Sequence, residues 1–260
     1  MKSEPITKPS DVEKAWSNQY DRLTRIFATV LGKGTRQIAE IGCGSGQLTV
    51  PLAKQARNLR FVLVDTFANP RTGSYSNKRY QALASSMGKA KVYRRVRIVA
   101  ADYMEWIKKQ DHETYDAIIS SEFLPEITSA ELAAFIPECY RILKPTGKAI
   151  HSFLSPMPRN YAQKLLIEAD SNPTWTSTPA KEWFSPKPQL VIKELRKAGF
   201  QKIRHVRLES HLVVKAAAAV SFLRSLDPDV KTKFYKKHRI QLEMSGLEIP
   251  DWIIIAAIKP

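Results

Sequence analysis

The feature that most constrains the fold is the glycine-rich segment EIGCGSG at 40–46. Its first residues end the apolar run at 37–42, and a helical pattern follows it at 47–56. A strand is therefore joined to a helix by a turn that contains glycines. Glycine allows sharp turns and close approach of a ligand, and the next helix points free N–H groups at the turn. The spacing is neither GxGxxG nor a Walker A loop. The segment therefore predicts either another type of ligand-binding loop or a plain tight turn.

Strand and helix patterns alternate over the first two thirds of the chain. Alternation of this kind indicates right-handed βαβ units and a parallel sheet covered by helices on both faces. A further pair of strands is expected near the end, at 202–210 and 251–260. The first five strands are predicted at 37–42, 60–65, 95–103, 115–121 and 148–155.

Four parts follow from these patterns. Residues 1–35 predict an N-terminal helical cap, because apolar residues recur there at spacings of three and four. Residues 36–155 form the ligand-binding core, and the proline-rich part 156–190 is an irregular lid or insertion. Residues 191–260 complete the sheet and contain a helical insertion. The following residues either line an acceptor pocket or form the apolar underside of the insertion: Met157, Tyr161, Trp175 and Trp183.

Composition excludes several classes of protein. The chain of 260 residues is 43% hydrophobic, which is too apolar for a mostly disordered protein. No apolar run reaches the length of a membrane span, and the first residues do not resemble a secretory signal. Cys43 and Cys139 are too few for a disulfide framework or a four-cysteine zinc site. We therefore expect a cytoplasmic protein with neither a membrane segment nor a metal site.

The chain is strongly basic, but unevenly so. It has 41 Lys and Arg against 25 Asp and Glu, a formal net charge of +16. The excess lies in 51–100 and 193–239, whereas 101–140 holds nine acidic and two basic residues. Basic residues interleaved with tyrosines, as in 69–97, can bind phosphates and stack bases, or they can form a solvated face. Charge therefore leaves the partner open.

Acidic residues follow successive predicted strands. Asp65 ends the second strand, where a carboxylate can accept hydrogen bonds from both ribose hydroxyls of a nucleoside. Asp102 follows the third strand and can accept from an adenine amine, with Tyr103 beside it. Each aspartate has an alternative interpretation as a helix cap. The fourth strand ends at Ser120, Ser121 and Glu122, near the position where ligands meet their substrates in open α/β sheets.

In this order and spacing, the segments EIGCGSGQLTVPLA, LVD, AADY, YDAIISS and RILKPTGKAI resemble the class I S-adenosylmethionine-dependent methyltransferases. The resemblance covers about 36–155. It implies a Rossmann-like, seven-stranded, mostly parallel sheet with helices on both faces and insertions after the fifth and sixth strands. The family's antiparallel last strand would be WIIIAAI at 252–258. The implied cofactor is S-adenosylmethionine.

The resemblance also implies roles for individual residues. Asp65 and Thr66 would bind the ribose side of the cofactor, and Asp102 with Tyr103 the adenine. Glu122 is the candidate for handling the acceptor's proton; the alternatives are that it orients an amine, binds the cofactor or is a surface carboxylate without a role. The methionine part and the sulfonium would lie against Glu40, Gly42, Gly44, Gly46, Ser120 and Ser121.

The acceptor is constrained mainly by absent motifs. An Asn/Asp-Pro-Pro-Tyr/Phe motif for amino methylation of bases does not follow the fourth strand, and no Pro-Cys nucleophile for cytosine carbon is present. We predict in-line methyl transfer to a nitrogen, oxygen or sulfur of a small molecule. One alternative is an RNA or protein methyltransferase that uses 69–97 and 193–239. Another is a non-catalytic interaction module on the same fold.

Overall fold

The computed structural model describes residues 5–68, 75–171, 186–226 and 228–260. Its main sheet has seven strands in the order β3-β2-β1-β4-β5-β9-β6, and β7 and β8 form a separate pair. The strands are β1 (Gln37–Ile41), β2 (Arg60–Asp65), β3 (Val96–Ala100), β4 (Tyr115–Ser121), β5 (Leu143–Leu154), β6 (Gln201–Leu208), β7 (Val213–Val214), β8 (Leu247–Glu248) and β9 (Trp252–Ile258).

The first five strands are parallel, and β1 lies between β2 and β4. Ile38 in β1 pairs with Phe61 and Ala117, and all three side chains are buried. Burial on both faces explains why these strands read as apolar runs rather than as alternating patterns. β9 runs antiparallel to β5, since Gly147 pairs with Lys259 at one end and Ser155 with Asp251 at the other. The predicted Rossmann-like, mostly parallel seven-stranded sheet is confirmed.

Nine helices are present in the described part of the chain. Helix α1 covers most of the predicted N-terminal helical region and ends before Gly32, as expected from the glycines there. Helix α5 begins with a capping box between Thr128 and Glu131. The helices are α1 (Pro9–Leu31), α2 (Thr49–Gln55), α3 (Asn77–Lys89), α4 (Tyr103–Lys108), α5 (Ser129–Ile142), α6 (Tyr161–Ser171), α7 (Pro188–Lys197), α8 (Ala216–Leu226) and α9 (Pro228–Ser245).

Two local predictions differ from the structure. The third strand was expected to continue to 103, but it ends at Ala100 because Asp102 caps α4. The 156–190 segment was expected to be irregular, yet it contains the 11-residue helix α6. Residues 172–185, with Trp175 and Trp183, lie outside the described residues.

The chain divides into two compact units. One holds the described residues within Met1–Gln19, Leu154–Trp183 and Arg207–Trp252, and its core includes Phe234 and Leu223. The other holds those within Tyr20–Phe153, Phe184–Val206 and Ile253–Pro260, with a core between the sheet and helices α4, α5 and α7. Among the described residues, no helix is both long and apolar enough to cross a membrane. The boundaries 1–35, 36–155, 156–190 and 191–260 stay predictions.

Candidate functional site

The glycine loop at 42–46 depends on backbone conformations that favour glycine. Gly42, Gly44 and Gly46 have φ angles of 71°, 51° and 81°, in the left-handed region that side chains disfavour. The Gly42 N–H donates to the Val64 carbonyl at 2.8 Å, which fixes the loop to the end of β2. The loop is therefore a built turn between β1 and α2 and not a variable connection.

Two of these glycines also face close neighbours. A Cβ added to Gly42 would lie 2.8 Å from atoms of Phe123, and one added to Gly46 would lie 2.6 Å from Leu83 Cδ1. Phe123 comes from the segment after β4 and Leu83 from α3. The missing side chains thus let two elements pack directly on the loop.

We expect Gly46→Ala to lower the free energy of unfolding by about 2 kcal/mol, since it adds backbone strain and a clash with Leu83. Urea denaturation would measure the change. Gly34→Ala is the matched control, because a Cβ there meets no atom within 4 Å. Equal stability of Gly46→Ala and the parent chain would contradict a loop held in this conformation.

Asp65 connects the glycine loop to the segment that follows β2. One carboxylate oxygen accepts from the Gly44 N–H at 2.8 Å, and the other accepts from the Phe67 N–H at 2.6 Å. Its neighbour Thr66 is exposed, and its hydroxyl accepts from the Ala68 N–H at 3.2 Å. Asp65 therefore orients the loop itself, in addition to any contact with a ligand.

Asp102 caps helix α4, which was one of the two interpretations of this residue. Its Oδ1 accepts from the N–H groups of Met104 and Glu105 at 2.8 and 3.0 Å and so caps α4. Both bonds use one oxygen, and the exposed carboxylate keeps its second oxygen for a ligand. Capping and adenine recognition are thus compatible at this residue.

An aromatic cluster lies beside Asp102. The Tyr103 ring meets Phe123 at 4.9 Å and Phe135 at 5.6 Å between centroids, both edge to face. The buried Tyr103 hydroxyl has no hydrogen-bond partner among the described residues. Burial, and then the charges of Glu131 and Asp102, raise the pKa of Tyr103, so its phenol stays neutral. The cluster forms an apolar wall next to the glycine loop.

The end of β4 supplies the next group of predicted residues. The Ser120 hydroxyl lies 2.8 Å from His151 Nδ1, and both side chains are fully buried. Burial lowers the pKa of His151 to about 4, so this histidine is neutral and has a packing role. Glu122 has a φ of 58°, and its N–H donates to the Ser152 carbonyl at 2.9 Å. Six other non-glycine residues of the described chain share this backbone region, so the strain at Glu122 points to a functional site only together with its position at the end of β4.

Sequence reasoning missed Tyr20 as a site residue. It belongs to the apolar stripe of α1 and was interpreted as packing, although its hydroxyl was a signal of a polar partner. Burial raises the pKa of Tyr20 most strongly, followed by the negative charge of Glu122, and Glu40 adds to this. A hydrogen bond with the Ser121 side chain acts against this and lowers the pKa of Tyr20. Tyr20 is therefore a neutral hydrogen-bonding group beside two carboxylates.

Glu40 is the most deeply buried acid of the site. Burial, and then the charge of Asp65, raise its pKa well above the ordinary range. Its Oε2 has no hydrogen-bond partner among the described residues. An orphaned buried carboxyl oxygen beside a glycine loop fits a ligand that brings a hydrogen-bond donor, such as an amino group.

Two further residues approach the glycine loop. Arg79 of α3 lies close to Gly44, because a Cβ added to Gly44 would be 3.4 Å from Arg79 Nη2. The Nη1 of Arg79 donates to the Ala68 carbonyl at 2.5 Å. Cys43 is buried in the loop, and burial, followed by Glu40 and Asp65, raises its pKa well above normal. The thiol is therefore protonated, and Cys43 acts as a small buried side chain within the loop.

The structure thus brings the predicted residues of 40–46, 65–66, 102–103 and 120–122 to the carboxyl ends of β1 to β4 within one compact unit. Met157 and Tyr161 belong to the other unit and are exposed, at 43% and 47%. The arrangement combines a glycine turn, several acidic side chains and an aromatic wall. Such a site suits a cationic ligand with an adenosine-like part.

Comparison with known proteins agrees with this geometry. Residues 38–147 match the family model described as a methyltransferase domain. The structure is similar to a SAM-dependent methyltransferase from Archaeoglobus fulgidus, with a TM-score of 0.60 and 18% identity over 94% of both chains. No curated protein sequence matches this chain.

Two other solved structures share the fold. A Haemonchus contortus phosphoethanolamine N-methyltransferase 2, in complex with phosphomonomethylethanolamine and S-adenosylhomocysteine, has a TM-score of 0.60 at 17% identity. The match covers 94% of this chain and 52% of that one. The [4+2]-cyclase SpnF has a TM-score of 0.61 at 18% identity over 92% and 80%. At these identities the likeness shows the fold alone.

Proposed function

Because residues 38–147 match the family model described as a methyltransferase domain, we propose that this chain is a class I S-adenosylmethionine-dependent methyltransferase that methylates a nitrogen, oxygen or sulfur of a small molecule. The observation that supports this most directly is the meeting of the glycine loop, Asp65 and Glu122 at one edge of the sheet. These groups lie where ligands bind in open α/β sheets.

The residues present fit the cofactor. S-adenosylmethionine supplies a methyl group on a sulfonium, which is already a good electrophile. The glycine loop offers a close approach to the methionine part, and the orphaned Glu40 Oε2 fits its amino group. We assign the ribose to Asp65, with Thr66 beside it, in addition to the bonds of Asp65 to the Gly44 and Phe67 N–H groups. We assign the adenine side to Asp102 and Tyr103, and the sulfonium side to the end of β4 at Ser120 and Ser121.

We assign the acceptor's proton to Glu122. The enzyme's task is to align a nucleophile in line with the methyl–sulfur bond and to accept a proton if the nucleophile carries one. Glu122 is partly exposed at the end of β4, so it can reach both the site and solvent. The neutral Tyr20 phenol hydrogen-bonds in this cluster and orients the carboxylate or the acceptor. Carboxylates there also favour an acceptor that is an amine.

The placement of basic residues supports a small acceptor over RNA. Within the stretch 69–97, Arg79 lies near the glycine loop. Arg94, Arg95 and Arg97 instead line a cleft at the opposite edge of the sheet, where the strands begin. Residues 69–74 lie outside the described residues. The basic charge of 94–97 is thus not placed to guide a polymer to Glu122.

Methyl transfer from radiolabelled S-adenosylmethionine tests the proposal. Label should pass to members of a panel of small amines, alcohols and thiols, and not to total RNA or to a protein extract. Label found only in RNA or protein would contradict the small-molecule acceptor. Absence of S-adenosylhomocysteine binding by calorimetry would instead favour the non-catalytic alternative.

A further inference from the structure

A second cleft lies on the sheet edge opposite the glycine loop. It has a volume of about 530 Å³ and is lined by the first residues of four adjacent strands: Gln37, Arg60, Val96 and Tyr115. In a parallel sheet these first residues share one edge and the carboxyl ends share the other. The cleft is therefore separate from the proposed methyl-transfer site.

Its charge is concentrated at one end. Arginines 60, 94, 95 and 97 line the cleft on the β2 and β3 side, and no acidic residue is among its lining residues in the described part of the chain. Arg60, Arg94 and Arg97 are exposed. None of the four forms an ion pair with another described residue, so their charge is not neutralised within this part of the protein.

Arg95 holds the backbone at the basic end of the cleft in place. Its guanidinium donates to the carbonyls of Ala53, Ala56 and Leu59 at 2.7, 3.1 and 3.2 Å. These bonds anchor the segment that carries Arg94 and Arg97 to the end of α2. Less side-chain and backbone freedom is then lost when a ligand binds between the free guanidinium groups.

The other end of the cleft is uncharged. Gln37 and Thr114 line it on the β1 and β4 side, whereas the side chains of Ile38, Phe61 and Tyr115 are buried beneath it. Burial raises the pKa of Tyr115, and the positive charge of Arg97 acts against this, which places that charge close to the tyrosine. The cleft thus joins a cationic end to a neutral end with hydrogen-bonding groups.

Size and charge together indicate the ligand. Four strands about 4.8 Å apart span about 14 Å, and the volume of the cleft lies in the range of small-molecule sites. Guanidinium groups bind phosphate through paired hydrogen bonds, and several of them together favour more than one phosphate. We propose that this cleft binds a nucleoside diphosphate, with the phosphates on Arg60, Arg94 and Arg97 and the nucleoside toward Gln37 and Thr114.

The proposal is tested by calorimetry of the full chain with ADP, AMP, adenosine and pyrophosphate at fixed ionic strength. ADP should bind at least about tenfold more tightly than AMP or adenosine. The double variant Arg94→Gln/Arg97→Gln should weaken ADP binding at least about tenfold while leaving the melting temperature unchanged, because both side chains are exposed. Arg204→Gln/Lys236→Gln removes the same charge from exposed positions elsewhere and should change the affinity less than about twofold.

Three results would overturn the proposal. The first is no ADP binding, or an equal loss in both double variants. The second is displacement of ADP by saturating S-adenosylhomocysteine, since this would place ADP in the glycine loop. The third is a short single-stranded RNA that binds more tightly than ADP and loses its binding in the same arginine variant. That result would make the cleft part of an RNA surface.

Discussion

Asp65→Ala should weaken S-adenosylhomocysteine binding by about 100-fold, close to 3 kcal/mol. Two effects act together. The ribose hydroxyls lose their proposed acceptor, and the N–H groups of Gly44 and Phe67 lose the carboxylate that orients them. The loop that faces the methionine part is then no longer held to the residue that faces the ribose. Calorimetric titration with S-adenosylhomocysteine measures the loss.

Two variants separate these contributions. Asp65→Asn keeps one carbonyl oxygen, so it should bind with an affinity between those of the parent chain and Asp65→Ala. Asp111→Ala removes an exposed aspartate elsewhere and should leave the affinity within about twofold. An unchanged affinity in Asp65→Ala, with the fold intact by circular dichroism, would remove the ribose assignment.

Glu122→Gln should lower kcat by two to three orders of magnitude, about the contribution of a general base, while changing S-adenosylhomocysteine affinity less than about threefold. Glutamine keeps the size and the hydrogen-bonding reach of the side chain, but it neither accepts a proton nor carries a charge. Single-turnover methyl transfer with an accepted small molecule, beside calorimetry, measures the two quantities separately.

The conformation of Glu122 provides a second test. Glycine tolerates its φ of 58°, so Glu122→Gly should unfold at equal or higher urea concentration while it loses activity as Glu122→Gln does. Glu105→Gln removes an exposed carboxylate from α4 and serves as the charge control. A loss of cofactor affinity with unchanged kcat in Glu122→Gln would make Glu122 a cofactor ligand instead.

The positions of the first five strands and of the glycine loop could be predicted because their causes are local. A buried parallel strand needs an apolar run, and a strand-to-helix turn with φ near 71° needs glycine at Gly42. The helical pattern after Asp102 also predicted its capping role, as the alternative to a role in adenine binding. The end of β3 was misplaced because the cap stops the strand at Ala100, and a cap competes with strand pairing at short range.

The part of the site that could not be predicted depends on distant contacts. Tyr20 and Glu122 are about 100 residues apart in the chain, and only the packing of α1 places the phenol near that carboxylate. Arg79 and Arg94 belong to one basic stretch, yet α3 places the first near the glycine loop and the second lies at the opposite edge of the sheet. The net charge of the stretch 69–97 predicts neither of these two positions.

The sequence by itself therefore determined the parallel sheet, the glycine turn and the acidic residues at the strand ends, since each follows from local backbone preference and apolar periodicity. Only the tertiary structure decided which side chains meet. Burial beside two carboxylates keeps the Tyr20 phenol neutral, and burial beside Asp65 raises the pKa of Glu40. The same packing divides the positive charge between two edges of one sheet, because parallel strands send their first and last residues to opposite ends.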